Sequence, residues 1–256
     1  MTSVPVSRCG DDPAGTAVER VLVVVPARNE QIALPACLGS LELARAEVVL
    51  PVHVVVVADS CTDDTERLAR HAGVQVVVTA AGRVGVARGQ GVLAGLADRG
   101  WAAGEATWIA TTDADSQVPR RWLAHHVEVA ADGFDLLLGT VALPGSRQRH
   151  AAWHTGYERR APTGAPHEHV HGANLGIRAS VYAAVGGFPA VAGHEDRLLS
   201  EAVRSSPGAR VLASTAYPVL TSDRVNGRAP VGLAHDLRAA TGRSRTTDGR
   251  AGWPPQ

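Results

Sequence analysis

Lysine is absent: all 25 basic residues are arginine. A lysine Schiff base and a lysine-dependent phosphate loop are therefore excluded, so any cationic or phosphate-binding group must be arginine, histidine or metal. Cysteine is scarce, with Cys9, Cys37 and Cys61 as the three copies and no CxxC pair. An odd number without that spacing predicts ordinary small residues in a reduced protein rather than a disulfide framework. Net charge of either sign is missing too, since 25 acidic residues balance 25 basic ones. That leaves no electrostatic case for nucleic acid or an anionic membrane as partner. No apolar run reaches the roughly 18 residues that would suggest an integral membrane segment. The opening MTSVPVSRCGDDPAG lacks the apolar stretch of a secretory signal. The expectation is a soluble, cytoplasmic protein. Three catalytic signatures are also lacking: no GxGxxG follows the first apolar run, and neither GxxxxGK[ST] nor G-x-S-x-G occurs. Dinucleotide-dependent hydride transfer, P-loop chemistry and a hydrolase elbow are all disfavoured.

What is present is a repeating alternation. The chain has 256 residues, 45% of them hydrophobic, enough for one substantial core. From Val21, short apolar runs alternate with segments of helical spacing: VLVVVPA, then QIALPACLGSLELARAE; VHVVVVADS, then TDDTERLARHAG with Thr62 as expected N-cap. VQVVVT, RVGVARGQGVLAGLADRG, TWIATTDADS, PRRWLAHHVEVAADG opening at Pro119, and FDLLLGTVAL continue it. This pattern predicts an α/β fold with a Rossmann-like, mostly parallel sheet flanked by helices. The later part is less regular: a strand, turn and Gly-Gly corner in VHGANLGIRASVYAAVGGF, a helix in HEDRLLSEAVRSS, a late strand in ARVLASTAYPVLTS and a last helix in PVGLAHDLRAATGR. One domain is expected over 20–240, split into a nucleotide-binding half (20–140) and an acceptor half (141–240), between tails at 1–19 and 241–256.

Ligands of open parallel sheets bind beyond the carboxyl ends of the strands. Polar residues gather there four times: PARNE (Pro26 to Glu30), Asp59 with SCTDDT, AAGRVG with Arg83, and DADS. Asp113 and Asp115, two apart on the expected fourth strand, would share a face and repel each other. A divalent ion would relieve that repulsion, because Mg2+ and Mn2+ prefer carboxylate oxygens and often share their shell with substrate phosphates. His167, His169 and His171 alternate in HEHVH. On a strand they would form one face, either a zinc site or a polar wall of an acceptor pocket.

The ordered set VVVPARNE, VVVVADSCTDDT, GRVGVARGQG, TTDADSQVP, HGANLGIRASVYAAVGGF and GHEDRLLSEAVR, from about Val21 to Arg204, resembles the family 2 nucleotide-sugar glycosyltransferases of GT-A fold. The resemblance implies that Pro26, Ala27, Arg28 and Glu30 line the nucleotide, with Asp59 at the base and Arg83 closing over base and ribose. It implies Asp113 beside ribose and metal, and Asp115 on the metal. Glu195-Asp196 matches the family's ED pair, whose acid deprotonates the acceptor hydroxyl; Asp196 is preferred and Glu195 is the alternative. Gly172, Asn174 and His194 are expected at donor sugar or acceptor. His194 or His235 could complete the metal shell. The QxxRW sequence of processive members is missing. In its place, Arg224 and Arg228 of TSDRVNGRAP offer forked contacts to a diphosphate.

The implied activity is metal-dependent, inverting transfer of one sugar from a nucleoside diphosphate sugar to a hydroxyl of a small or lipid-linked acceptor, with Mn2+ or Mg2+. A retaining GT-A transferase and a non-catalytic nucleotide-sugar binder are the alternatives. A sugar-phosphate nucleotidyltransferase would want a basic Gly-rich loop after the first strand and a lysine, and has neither here.

Overall fold

The first strand, β1 (Arg20–Ala27), buries Val21 to Val25 without interruption. A strand with apolar side chains on both faces must be covered on both. Val21, Val23 and Val25 pack with Leu34, Cys37 and Leu41 of α1 (Leu34–Arg45) and with Trp122 and Leu123 of α4 (Trp122–Ala131). Leu22 and Val24 point the other way, into Ala87, Val92 and Leu96 of α3 (Val84–Asp98) and Leu199 and Val203 of α7 (Glu195–Arg204). The result is an α/β fold with a helical layer on each face of one sheet.

The computed structural model describes residues 17–101, 106–145, 147–160, 166–225 and 232–246. Cys9, Arg228 and most of the two expected tails lie outside them. Around β1 the sheet is parallel: β2 (Val52–Asp59) on one side with β3 (Gln75–Thr79) beyond it, and β4 (Thr107–Thr111) on the other. Past β4 it becomes mixed. β7 (Leu175–Arg178) runs antiparallel to β4 and to β6 (Leu136–Ala142). β8 (Val211–Thr221) is parallel to β6, and the two-residue β5 (Ser116–Gln117) pairs antiparallel with β8. The order is β3-β2-β1-β4-β7-β6-β8-β5. β1, β2 and β4 thus aim their carboxyl ends at one edge, and the mixed half walls that edge from the side.

Several boundaries differ from the sequence pattern. β4 stops at Thr111, and 113–115 form a turn closed by the Ser116 N–H on the Asp113 carbonyl at 3.0 Å. The i, i+2 carboxylates therefore do not share a strand face. Thr62 caps no helix: α2 (Thr65–His71) begins three residues later, and the Thr62 N–H donates to Asn29 Oδ1 at 2.7 Å. Pro119 precedes α4 by one turn, its carbonyl accepting the Trp122 N–H. α5 (Ala151–Arg159) was not foreshadowed, because only Trp153 and Tyr157, one turn apart, are buried. They pack on Leu237 of α8 (Leu233–Thr246), which continues into the expected C-terminal tail.

α3 is a helix despite Gly85, Gly89, Gly91 and Gly95. The reason is proximity to the sheet. A Cβ on Gly91 would stand 2.5 Å from Val24 Cγ1, and one on Gly95 2.5 Å from Leu22 Cδ1. Gly89 is different, with only Tyr182 Oη near its Cβ direction, at 3.8 Å. Alanine in a helix is worth about 1 kcal/mol over glycine, whereas overpacking a core costs about 1–3 kcal/mol. Gly89→Ala should therefore raise, and Gly91→Ala lower, the urea midpoint, with opposite shifts of roughly 1 kcal/mol each.

Candidate active site

At the carboxyl edge lies a cavity of about 540 Å³. Pro26, Ala27, Arg28 and Glu30 after β1, Asp59 at the end of β2, Arg83 before α3, and Asp113 and Asp115 after β4 all line it. So do Gly172, His194, Glu195, Asp196, Arg224 and His235. Another cavity, of about 750 Å³ between α1, α2 and β2, is lined by none of the residues expected at a site.

The chain reaches these positions through unusual backbone. Asn29, Ser60 and His194 are the non-glycine residues with positive φ among the described residues, at 52°, 55° and 62°. Each adjoins a cavity residue: Arg28 and Glu30, Asp59, and Glu195. Such conformations cost about 1–3 kcal/mol each and persist where surrounding bonds hold them. Asn29 Oδ1 accepts from Thr62, and the Glu30 N–H donates to Thr65 Oγ1 at 2.7 Å. Asp59 Oδ1 accepts from Ser60 Oγ and from the Gly82 N–H, both at 3.0 Å, tying β2 to the loop that carries Arg83. Arg83 is exposed, and its Nη1 donates to the Ala190 carbonyl at 3.1 Å.

Arg88, which no motif in the sequence singles out, is the centre of the arrangement. Its side chain is only 3% exposed. Nη2 donates to Asp113 Oδ1 at 2.6 Å and Nη1 to Glu195 Oε1. Burial opposes its charge, but Asp113 and Glu195 outweigh that and hold its pKa above the ordinary arginine value. Space for it comes from Gly172, where a Cβ would stand 2.4 Å from the guanidinium carbon.

The turn sends the two aspartates to different cations. Asp113 meets Arg88, while Asp115 Oδ2 meets Arg224 Nη2 at 2.9 Å. Arg224 also reaches Glu30 Oε1 through Nη1 at 2.8 Å. Asp115 still feels burial first, then Asp113 and Glu30, and Arg224 only partly offsets them; its pKa is pushed up to about 6.

The ED pair is likewise divided. Glu195 is buried and bound to Arg88, and burial raises its pKa despite that partner. Asp196 is half-exposed at the cavity; its Oδ2 accepts the Gly172 N–H and its Oδ1 the Arg197 N–H, each at 2.8 Å. The first turn of α7 favours both negative charges.

Three expectations do not match the placements. Asn174 does not line the cavity: its Nδ2 donates to the Thr140 and Tyr217 carbonyls and its Oδ1 accepts from Trp122 Nε1. These carbonyls flank a β6–β8 bulge between Gly139 and Val141, so Asn174 repairs broken sheet pairing. HEHVH is no strand and no zinc cluster. His169 stacks on Tyr157 at 3.7 Å, and its Nε2 donates to the Tyr157 carbonyl. His167 Nε2 donates to the Ser214 carbonyl, and His171 Nε2 pairs with Tyr157 Oη. Burial keeps His169 and His171 neutral, with pKa values pushed down to about 4 and about 3. His169 and His171 do line the cavity, as an aromatic wall. Finally, among the described residues no group of three His, Cys, Asp or Glu side chains is arranged to hold a metal, so neither His194 nor His235 completes a shell with the aspartates. Cys37 and Cys61 are free thiols whose pKa values burial raises.

The family model described as Glycosyl transferase family 2 matches residues 22–185. The chain belongs to glycosyl transferase family 2. No curated protein matches it. Among solved structures it is similar to S. aureus TarS 1-349 in complex with UDP-GlcNAc, with TM-score 0.57, 18% identity, and coverage of 90% of this chain and 68% of that one. It is similar to the mannosyltransferase PcManGT from Pyrobaculum calidifontis in complex with GDP-Man and Mn2+, with TM-score 0.55, 21% identity, and coverage of 94% and 68%. Glucosyl-3-phosphoglycerate synthase from Mycobacterium tuberculosis is a third, with TM-score 0.51, 18% identity, and coverage of 91% and 81%. These likenesses fix the fold as GT-A, and the chain is a family 2 glycosyltransferase.

The raised Asp115 pKa has a stability consequence. Between the ordinary carboxylate range near pH 4 and pH 6 the folded state holds a proton that the unfolded state has lost, so stability falls as pH rises through that window. Asp115→Asn should be more stable than the parent at pH 7, by about 1–3 kcal/mol. The gain should vanish below about pH 4 in parallel urea titrations.

Proposed function

We propose that this family 2 enzyme moves one sugar, with inversion, from a nucleoside diphosphate sugar to a hydroxyl of a small or lipid-linked acceptor, with a divalent ion at the donor. One observation carries the reading: of the two ED acids, Glu195 is locked onto Arg88, and Asp196 alone presents an unsalted carboxylate to the cavity. A carboxylate held by two backbone N–H groups has a fixed orientation, and a positioned carboxylate can take the proton as an alcohol attacks. Attack from the acceptor side, opposite the departing diphosphate, inverts the anomeric carbon.

On this reading Arg28, Glu30, Asp59 and Arg83 receive the nucleotide, Gly172 and His194 border the transferred sugar or acceptor, and Arg224 serves the diphosphate. The neighbours holding UDP-GlcNAc, and GDP-Man with Mn2+, support such a donor and such an ion. The residues present fit the ion in one limited sense. Asp113 and Asp115 supply hard oxygens, with burial first and the Asp113 charge second raising the Asp115 pKa, and they are too few to enclose the ion. Mg2+ and Mn2+ tolerate this, because they complete their shells with phosphate and water. When bound, the ion would stabilise negative charge on the leaving diphosphate. His171 and His169, kept neutral by burial, line the same cavity as Asp196.

Asp196→Asn should lower transfer by about 10²- to 10⁴-fold while leaving nucleotide-sugar binding by calorimetry nearly unchanged. Normal turnover in that variant would remove Asp196 as the base. Proton NMR of the first-formed product reads the anomeric configuration; retention would overturn the inverting mechanism.

A further inference from the structure

Two arginines balance the acids of the cavity, and they are built differently. Arg88 is 3% exposed, on a helix, and walled in by Gly172. Arg224 is 36% exposed and sits on the segment after β8, its N–H donating to Ser222 Oγ at 3.3 Å. Its partners are the fixed side of the contact. The Glu30 carboxylate is 9% exposed and that of Asp115 12%, each on a turn directly after a central strand. Glu30 is further anchored by Thr65. The acids belong to the sheet edge, and the cation is the more exposed partner.

Asp115 Oδ2, which accepts Arg224 Nη2 at 2.9 Å, is one of the few hard oxygens the chain can offer a divalent ion. A guanidinium and a divalent ion on the same carboxylate would repel each other at close range. We propose that Arg224 is a displaceable internal cation. It neutralises Glu30 and Asp115, competes with the divalent ion for Asp115, and moves to the diphosphate when the donor arrives. The inference rests on the donor-site reading above and extends it from which residues bind to how their binding is coupled. A diphosphate offers the released guanidinium paired oxygens in forked geometry. The ion and the nucleoside diphosphate then help each other through Arg224 as well as by direct coordination, and the coupling is reciprocal. Ion entry without nucleotide must break the Arg224 contacts and gives them no replacement.

Mn2+ binding, followed by the electron paramagnetic resonance of free Mn2+, tests this on the full chain and on Arg224→Ala, Arg224→Gln and Arg224→Lys, each alone and with UDP or GDP. Without nucleotide, the Ala and Gln variants should bind Mn2+ about 2- to 5-fold more tightly than the parent, a range set by a partly exposed ion pair. The Lys variant, still cationic, should stay close to the parent. With the nucleoside diphosphate that binds, the Ala and Gln variants should lose on the order of tenfold of the mutual enhancement between ion and nucleotide. Equal or weaker Mn2+ binding by both neutral variants without nucleotide, or no Mn2+ binding by any form, overturns the proposal. Failure of the donor reading shows separately, as no binding of UDP, GDP or their sugars to the parent with or without Mn2+.

Discussion

A buried guanidinium holds this active site together. Arg88 joins Asp113, at the end of the parallel half of the sheet, to Glu195, at the start of α7. Removing such a group from water costs several kcal/mol, which is recovered only when its partners are charged and well placed. Glu195 is buried against Arg88, and Asp113 and Glu195 together offset the cost of burying the guanidinium. The ion pairs thus tie the turn after β4 directly to the first turn of α7.

Gly172 extends the same constraint. Its missing Cβ admits the Arg88 guanidinium, its N–H orients Asp196, and its carbonyl accepts Thr111 Oγ1 at 2.6 Å from the end of β4. One residue thus positions the candidate base relative to the strand that delivers the aspartates. A larger side chain there would displace Arg88 and with it the acid next to Asp196, so the two halves of the ED pair are coupled through one backbone position.

Much of this was legible in the sequence, and the limits have physical causes. β1, β2 and β4 read clearly because strands covered on both faces must be apolar throughout, and the polar clusters at their ends converge as parallel topology requires. α5 did not read, since two buried aromatics one turn apart make too short a period. The third-helix segment was assigned to the site through Arg83, whereas the central residue is Arg88, one turn further on. A charged residue inside a helix reads as surface. Its burial depends on partners 25 and 107 positions away and on a distant glycine, which no local pattern encodes. Asn174 misled for the converse reason: a polar residue among site residues looked like a ligand contact, but a bulge in β6–β8 had left two carbonyls that needed it.

The division of labour among the acids also follows from environment rather than identity. Glu195 and Asp196 are adjacent carboxylates at one helix start, where the helix dipole favours both equally. What separates them is the helical turn of about 100° between successive residues, which directs one side chain inward to Arg88 and the other toward the Gly172 N–H and the cavity. The inward acid is neutralised and serves structure. The outward acid is held by backbone N–H groups, which orient it without supplying a counter-cation. Asp113 and Asp115 are divided in the same way, by a tight turn instead of a helix, between a buried arginine and a more exposed one. In each pair the sequence places two carboxylates together, and the backbone turns them to different partners.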